Sequence, residues 1–564
     1  MEDTRTELAL ELSARSSRLA AARSSWDVLW QDIANYVMPR KAEIIQKQGS
    51  PNVSKQTRLF DGTAIRANQI LANGQLAWMT PMESRWFSYD APAHLKGNDK
   101  AEQWYRTCTE VAILELAKSN FYTEIHELYL DRGAFGTAAL HLEEGKKSPL
   151  NFTTLTCGTY SIAENDEGYV DTIYRSVPMT LRNVVGKFGI ENVSPELQSK
   201  YKDAKGKNLD TEIKITHAIY PRADQDCDHT KRDGKNKPIA SVYFEEATKH
   251  ILRESGYDDM PTFATRYLKW GNSAYGWSPS WIALPDARQL NFLERQMDAL
   301  AELQAFPRML IPDSMEGTVD FRANGATYYD ATNPTAIPKE WATGGRYDVG
   351  VARSETKRKS IEDAFHVDLF QMFAQIQKQM TATEVSERAA EKLIQFSPTF
   401  ARMTTELFGP ILKRTFTLLI TAGYFPPPPQ EVLQQDHAGI SIAEPQISYS
   451  SRIALAIKAL ENVSFTRFLS TFLPISQIQP DVLDNIDFDQ ASRDFARNEG
   501  MPARWIRDMD LVNQNREARA QAMQQQEQIA QAQQAAEALA KAGSIKNDSM
   551  IAQQLGTTPG MPTV

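Results

Sequence analysis

The run Asp224-Gln225-Asp226-Cys227-Asp228-His229 is the nearest thing in the chain to a metal-ligating pattern, with alternating carboxylates like those that open a calcium-binding loop. The pattern then fails. His229 stands where such a loop needs glycine, and Lys235 where a bidentate glutamate would close the shell. A solvated loop is the default, and a metal-dependent nuclease using Asp224, Asp226 and Asp228 is the enzymatic alternative. Four Gly-Lys pairs, at Gly145, Gly186, Gly206 and Gly234, lack the upstream glycine and following hydroxyl residue of a phosphate-cradling loop. No GxGxxG, HExxH or GxSxG occurs. His126 and His141 flank apolar stretches with no second ligand at metal spacing, so they read as hydrogen-bonded structural histidines. Cys108, Cys157 and Cys227 are far apart and form no CxxC pair, which fits idle thiols in a reducing compartment. No catalytic set, metal or cofactor is expected, and the chain does not read as an enzyme.

What remains is charge carried on helices. Glu294, Asp298 and Glu302 stand four apart and form one acidic line, while Leu290, Leu293, Met297 and Leu300 form a packing seam on another face. Lys357, Arg358 and Lys359 make a short basic run. Charged outer faces are the ordinary property of amphipathic helices. The plain reading is therefore a solvated surface, and a special role for either charged set is the sharper one.

The elements carrying these charges are legible from periodicity. A helical pattern runs from Thr4 to Met38 and stops at Pro39; others cover Asp61 to Met79, Asp99 to Lys118 and Tyr122 to Asp131. Between Gly133 and Trp270 the period becomes alternating, which predicts an antiparallel β-region with a long polar hairpin loop over Arg222 to Lys237. Pro285 opens a strong helix that Pro307 closes. Short strands and turns fill Arg308 to Gly350, and a helix resumes over Ser354 to Phe373 with Ile361, Phe365 and Leu369 in step. Thr381 and Glu384 form a capping box. The helix it starts extends to about Ala422, with Pro398 and Gly409-Pro410 as kinks. Ser450 to Phe472 and Pro502 to Met509 read as helical. Val512 to Ala542, rich in Gln and Ala, is either a helix in an oligomeric bundle or a loose tail.

At 564 residues the chain has room for three or four domains. Its 62 Lys and Arg against 71 Asp and Glu give a formal charge of −9, which argues against a protein that grips nucleic acid tightly over a broad basic surface. No run approaches the 18 apolar residues of a membrane span, and the N-terminus lacks the features of a signal peptide.

Three stretches, in order, resemble portal proteins, the head-to-tail connectors of short-tailed, podovirus-type bacteriophages. They are LFDGTAIRANQILANGQLAWMTPMESRWF (Leu59 to Phe87), YGWSPSWIALPDARQLNFLERQMDAL (Tyr275 to Leu300) and MTATEVSERAAE (Met380 to Glu391). The resemblance covers roughly residues 5 to 510. It implies an α+β, mainly helical fold with β-rich wing and clip regions, assembling as a cyclic ring, usually of twelve copies, at one capsid vertex. By that analogy residues 1–280 form the wing and body, 281–306 the first stem helix, 307–353 the clip and 354–373 the second stem helix; repeated copies of Glu294, Asp298 and Glu302 could then form negative rings in the channel, and Lys357, Arg358 and Lys359 could complement them across subunits or contact phosphates. Residues 374–425 would form the channel loop, with Gln377 and Lys378, and the long kinked helix that starts at Thr381 and Glu384. The crown would span 426–510, and 511–564 would extend it as a helical barrel or end loose. Implied partners are further copies of the chain, double-stranded DNA in transit, the terminase large subunit, the major capsid or scaffolding protein, and tail adaptor and nozzle proteins. The expected location is the portal vertex of the virion, after synthesis in the host cytoplasm. A ring adaptor or scaffold without a DNA channel is the alternative from another class.

Overall fold

The structure is a computed structural model that describes residues 2–41, 43–45, 59–145, 148–203, 209–223, 233–317, 347–375, 396–436, 439–450 and 509–547, with single residues and short runs within 227–231, 319–340 and 487–507. It divides into two compact units, Met1–Glu461 and Asn462–Val564.

In the first unit, α1 (Glu2–Val37) is separated by a single residue from a short 3-10 segment at Pro39–Lys41. The helices α2 (Thr63–Met79), α3 (Asp99–Lys118) and α4 (Phe121–Phe135) follow. Asn98 caps α3, its side chain accepting from the amides of Lys100 (3.1 Å) and Ala101 (3.3 Å). Gly136 ends α4 at φ +78°. Any Cβ there would lie 2.4 Å from the carbonyl of Gly276, so two chain segments cross at a point where only glycine fits.

The β-region is two sheets. Strands β2 (Thr137–Glu143), β3 (Asn151–Leu155) and β9 (Thr262–Arg266) form the order β3-β2-β9, which packs on α4. Strands β4 (Tyr160–Glu164), β5 (Val170–Thr180), β6 (Glu212–Pro221), β7 (Ile239–Glu245) and β8 (Ile251–Tyr257) form an antiparallel meander in sequence order. Pro221 pairs with Ile239, so the polar segment between them is the expected hairpin connection. The carboxylates Asp224, Asp226 and Asp228 within it, and His229, lie outside the described residues. The meander is covered on both faces. Ile215, Tyr243 and Leu252 pack under two short helices, α5 (Leu181–Phe188) and α6 (Pro195–Asp203). Tyr174, Ala218, Val242 and Phe244 pack under Ala9 and Leu12 of α1. Two helices that the alternating pattern did not predict, α5 and α6, lie within the β-region; Thr180 caps α5, its side chain accepting from the Asn183 amide.

Where the two sheets meet, six polar side chains form a hydrogen-bonded cluster. Glu143 accepts from His141 Nε2 (2.7 Å), which leaves Nδ1 to accept from the Thr262 hydroxyl (2.6 Å). Arg175 Nε donates to His217 Nδ1 (3.0 Å), so His217 Nε2 donates to Ser241 (2.9 Å). Burial pushes His141 down to about 4, helped by the Arg175 charge and opposed by Glu143. Burial, with Arg175, His141, Lys187 and Arg253 around it, holds His217 well below its ordinary value. Glu143 is held below the usual carboxylate range, because His141, Arg175 and Lys187 outweigh the burial that would raise it. The unfolded chain therefore binds protons that the folded one refuses. Stability should fall as pH drops from 6.5 toward 4, by about 3 kcal/mol for His141 alone. Urea midpoints measured across that window check this, and His141→Gln should flatten the curve.

Beyond the sheets, α7 (Pro279–Ala305) runs antiparallel to α8 (Tyr347–Ala364), and α9 (Val367–Gln375) follows. A two-stranded ladder of β10 (Met309–Leu310) and β11 (Lys339–Glu340) closes the base of the module between α7 and α8. Residues 396–403 are helical, Thr404–Phe408 form a π-turn, and α10 (Gly409–Thr421) continues from it. The expected kink at Gly409-Pro410 takes this form. Strands β12 (Leu433–Asp436) and β13 (Gly439–Ile442) pair, and β14 (Gln446–Tyr449) pairs with β1 (Phe87–Asp90). Residues 426–450, expected in the crown, therefore fold against the N-terminal body. The helices expected over 450–472 and 502–509 lie almost wholly outside the described residues.

In the second unit the Gln- and Ala-rich segment is one helix, α11 (Met509–Asn547), with almost every described side chain exposed. Arg516 makes a bidentate bridge to Asp489 (2.6 and 2.7 Å).

Candidate functional site

The α7/α8 pair carries most of the charge singled out in the sequence. Its first helix begins earlier than Pro285: Ser278 is the N-cap, its side chain accepting from the Trp281 amide (3.2 Å), and Pro279 takes the first turn, where no amide partner is needed. Pro285 lies inside the helix. The helix expected from Pro285 to Phe306 therefore spans Pro279–Ala305. The second helix begins at Tyr347, seven residues before the start expected at Ser354. The helix expected over 354–373 breaks at His366, which adopts φ +54° between α8 and α9.

Packing and ion pairs lock the two helices together. Met297 lies against Gly350 and Ser354, where a Cβ at Gly350 would approach Met297 Sδ to 2.9 Å. Arg358 donates to Glu294 (2.7 Å) and to Asp61 (3.0 Å). Lys357 bridges Asp286 (2.7 Å), which also accepts from Ser360 (2.6 Å). Burial would raise Asp286, but the hydrogen bonds from Lys357 and Ser360 win and hold it low.

These contacts sort the expected site residues. Of the acidic line, Glu294 turns inward onto Arg358, whereas Asp298 and Glu302 are exposed. In the basic run, Lys357 and Arg358 serve ion pairs within their own subunit and Lys359 is exposed. Gln377, Lys378, Thr381 and Glu384 lie outside the described residues.

The two portal-like stretches that fall on described residues have plain physical roles. Gly74 in α2 admits the Phe370 ring of α9, which a Cβ would meet at 2.1 Å. Trp86 is buried beside Phe87 and stacks on Phe121 at an interplanar angle of 4°. Tyr275 and Trp277 join Trp26 and Trp30 in one aromatic cluster at the start of α7. Ser280 bonds the Gly133 carbonyl (2.8 Å).

Sequence reasoning missed Arg266, whose side chain is 1% exposed. It holds Glu406 of the π-turn (2.7 Å), bridges Glu164, and donates to the Gly168 carbonyl (3.0 Å). The Arg266 amide also donates to Glu406 (2.8 Å). Residues so distant in the chain leave no spacing signal. His126 and His141 are hydrogen-bonded, to Asn73 (2.8 Å) and to Glu143 and Thr262. Among the described residues no group of His, Cys, Asp and Glu is placed to hold a metal ion, and no helix is long and apolar enough to cross a membrane.

Comparison with known proteins identifies the family. The chain is 32% identical over 546 residues to the probable portal protein of Bordetella phage BPP-1, covering 96% of each. It is 28% identical over 544 residues to the portal protein of Salmonella phage epsilon15, covering 95% of each. A solved chain from the virion of a native gene transfer agent (GTA) particle aligns over 83% of this chain and 99% of its own, at 11% identity and a TM-score of 0.35, too low to carry an argument. The profile of a family described as bacteriophage head to tail connecting protein matches residues 9–506, nearly the whole chain, and to that family this chain belongs.

Proposed function

We propose that this portal protein assembles as a ring of twelve copies, the usual number of its family, at one vertex of the capsid, where double-stranded DNA enters and leaves through the axial opening. The observation that carries this reading is the antiparallel α7/α8 pair with an inserted module between its helices. A stem must hold its two helices in fixed register while presenting something at its far end. The Glu294–Arg358–Asp61 and Asp286–Lys357 contacts support that register. In this reading the meander and α1 to α6 make the wing and body, and the module closed by β10 and β11 is the clip. The clip receives the terminase large subunit first and tail adaptor and nozzle proteins later. Capsid or scaffolding protein meets the outside of the ring. Residues from 374 into the kinked helix supply the channel loop, and the far C-terminal part supplies the crown.

In this reading Asp298 and Glu302, both exposed, are the stem carboxylates that face DNA. Duplex DNA carries about one negative charge per 1.7 Å of axis, so a basic bore would hold it and an acidic one lets it slide. Work comes from a separate ATP-hydrolysing motor; this chain supplies geometry and repulsion.

The clip assignment is tested by excision. Replacing residues 311–338 with a short glycine linker leaves the β10–β11 base in place. Rings should still form, while terminase-driven packaging in a reconstituted prohead assay should be lost. Normal packaging by the shortened chain would contradict the assignment.

A further inference from the structure

The stem pair has two outward faces whose residues complement each other. On α7, the positions opposite the buried seam of Ala287, Leu290 and Met297 are Trp281, Arg288, Phe292, Arg295 and Ala299, one stripe at steps of three, four and seven. Phe292 is 62% exposed and Trp281 45%, large aromatic surfaces for a helix in water. Arg288 is tied to Asp32 of α1 and still keeps 46% of its side chain exposed. On α8, the positions opposite buried Ser354 and Ile361 are Ala352, Glu355, Thr356, Lys359 and Asp363, all exposed. One stripe is bulky and carries two cations. The other is small in its centre and carries two carboxylates around Lys359, so its net charge is negative.

The contacts inside one subunit also set the heights. Glu294 meets Arg358, and Met297 meets Ser354. Asp286 also meets Ser360, and Met297 also meets Gly350, so along these antiparallel helices Arg295 lies within about one turn of the height of Glu355, Phe292 of Thr356 and Lys359, Arg288 of Asp363, and Ala299 of Ala352. Rotation about a ring axis parallel to the stem keeps every residue at its height. The α7 stripe of one copy then meets the α8 stripe of the next with charges opposed and Phe292 facing small neighbours. Two different faces of one chain joined by rotation make a heterologous contact, the kind that closes a ring.

We propose that the outward α7 stripe docks on the outward α8 stripe of a second copy of this chain, with Arg295 against Glu355 and Phe292 beside Thr356. This inference rests on the ring reading above and names the surface that closes it. Here Lys359 covers an aromatic ring at the subunit boundary and does not reach DNA.

Charge exchange in the full-length chain tests it. Arg295→Glu should reduce the ring fraction in size-exclusion light scattering by about tenfold or more, because like charges would face each other across the contact. Glu355→Arg alone should do the same, and the two together should restore rings. Circular dichroism should show each single variant folded. Separately, the Ala299→Cys/Ala352→Cys chain should give a ladder of covalent oligomers on oxidation, since the two positions lie on opposite outward faces of one subunit. Rings formed normally by Arg295→Glu, or assembled Ala299→Cys/Ala352→Cys rings that yield only monomer bands, would overturn the docking surface while leaving the ring intact. Failure of the unaltered chain to form rings would instead refute the reading beneath it.

Discussion

Glu406→Ala is expected to destabilise the first unit by about 3–5 kcal/mol, the range seen when one partner of a buried ion pair is removed. The carboxylate accepts from the Arg266 amide, from Arg266 Nε (3.2 Å) and Nη2 (2.7 Å), and from Arg402 (2.9 Å). Its side chain is 6% exposed. Without it, a guanidinium shut away from water keeps only Glu164 and backbone carbonyls as partners. The same change would free the π-turn from β9, because the extra residue in that turn sits where Glu406 reaches the strand. Such turns cost regular hydrogen bonding and recur where a helix must aim a side chain. Arg402→Ala is the control: it sits at the rim of the cluster and one turn from Glu406, so its loss should cost less than about 1 kcal/mol. Equilibrium urea unfolding of both variants separates the two outcomes. Equal effects would mean that the buried pair does not hold the kinked helix to the sheet.

The second large effect is expected in transport. Asp298→Lys with Glu302→Lys should leave fold and ring assembly unchanged and reduce DNA packaging in a prohead assay by about tenfold or more, since each reversal replaces repulsion of the phosphates by attraction. Glu294→Lys should behave differently, because Glu294 is bound to Arg358; reversing it sets two cations together within one stem and lowers stability before any DNA is involved. Reading the acidic line as one feature would blur these two results. Normal packaging by the Asp298/Glu302 variant would remove both residues from the channel.

Local signals were legible and long-range ones were not. The helix over Asp99–Lys118 matches its expected limits, and the polar hairpin loop expected over Arg222 to Lys237 lies between paired strands, since alternation and turn residues act within a few positions. The start of α7 was misplaced because two prolines compete. Pro285 has the acidic neighbour typical of a helix start, but Ser278 supplies the cap that the backbone uses. The break at His366 was invisible: Ile361, Phe365 and Leu369 keep helical spacing across it, and all three remain buried after the chain turns. The Arg266 and His141–His217 clusters join residues from different sheets and from the kinked helix, so only the folded chain brings them together. For the stem, the sequence showed which charges were present, and the fold showed which of them were already spent on holding α7 to α8.

The central claim is that copies of this chain close around an opening wide enough to pass a double helix. Class-averaged electron micrographs of the purified full-length protein test it most directly. Closed rings of one subunit number with a clear axial opening are predicted; a uniform population of monomers at high concentration would contradict the account.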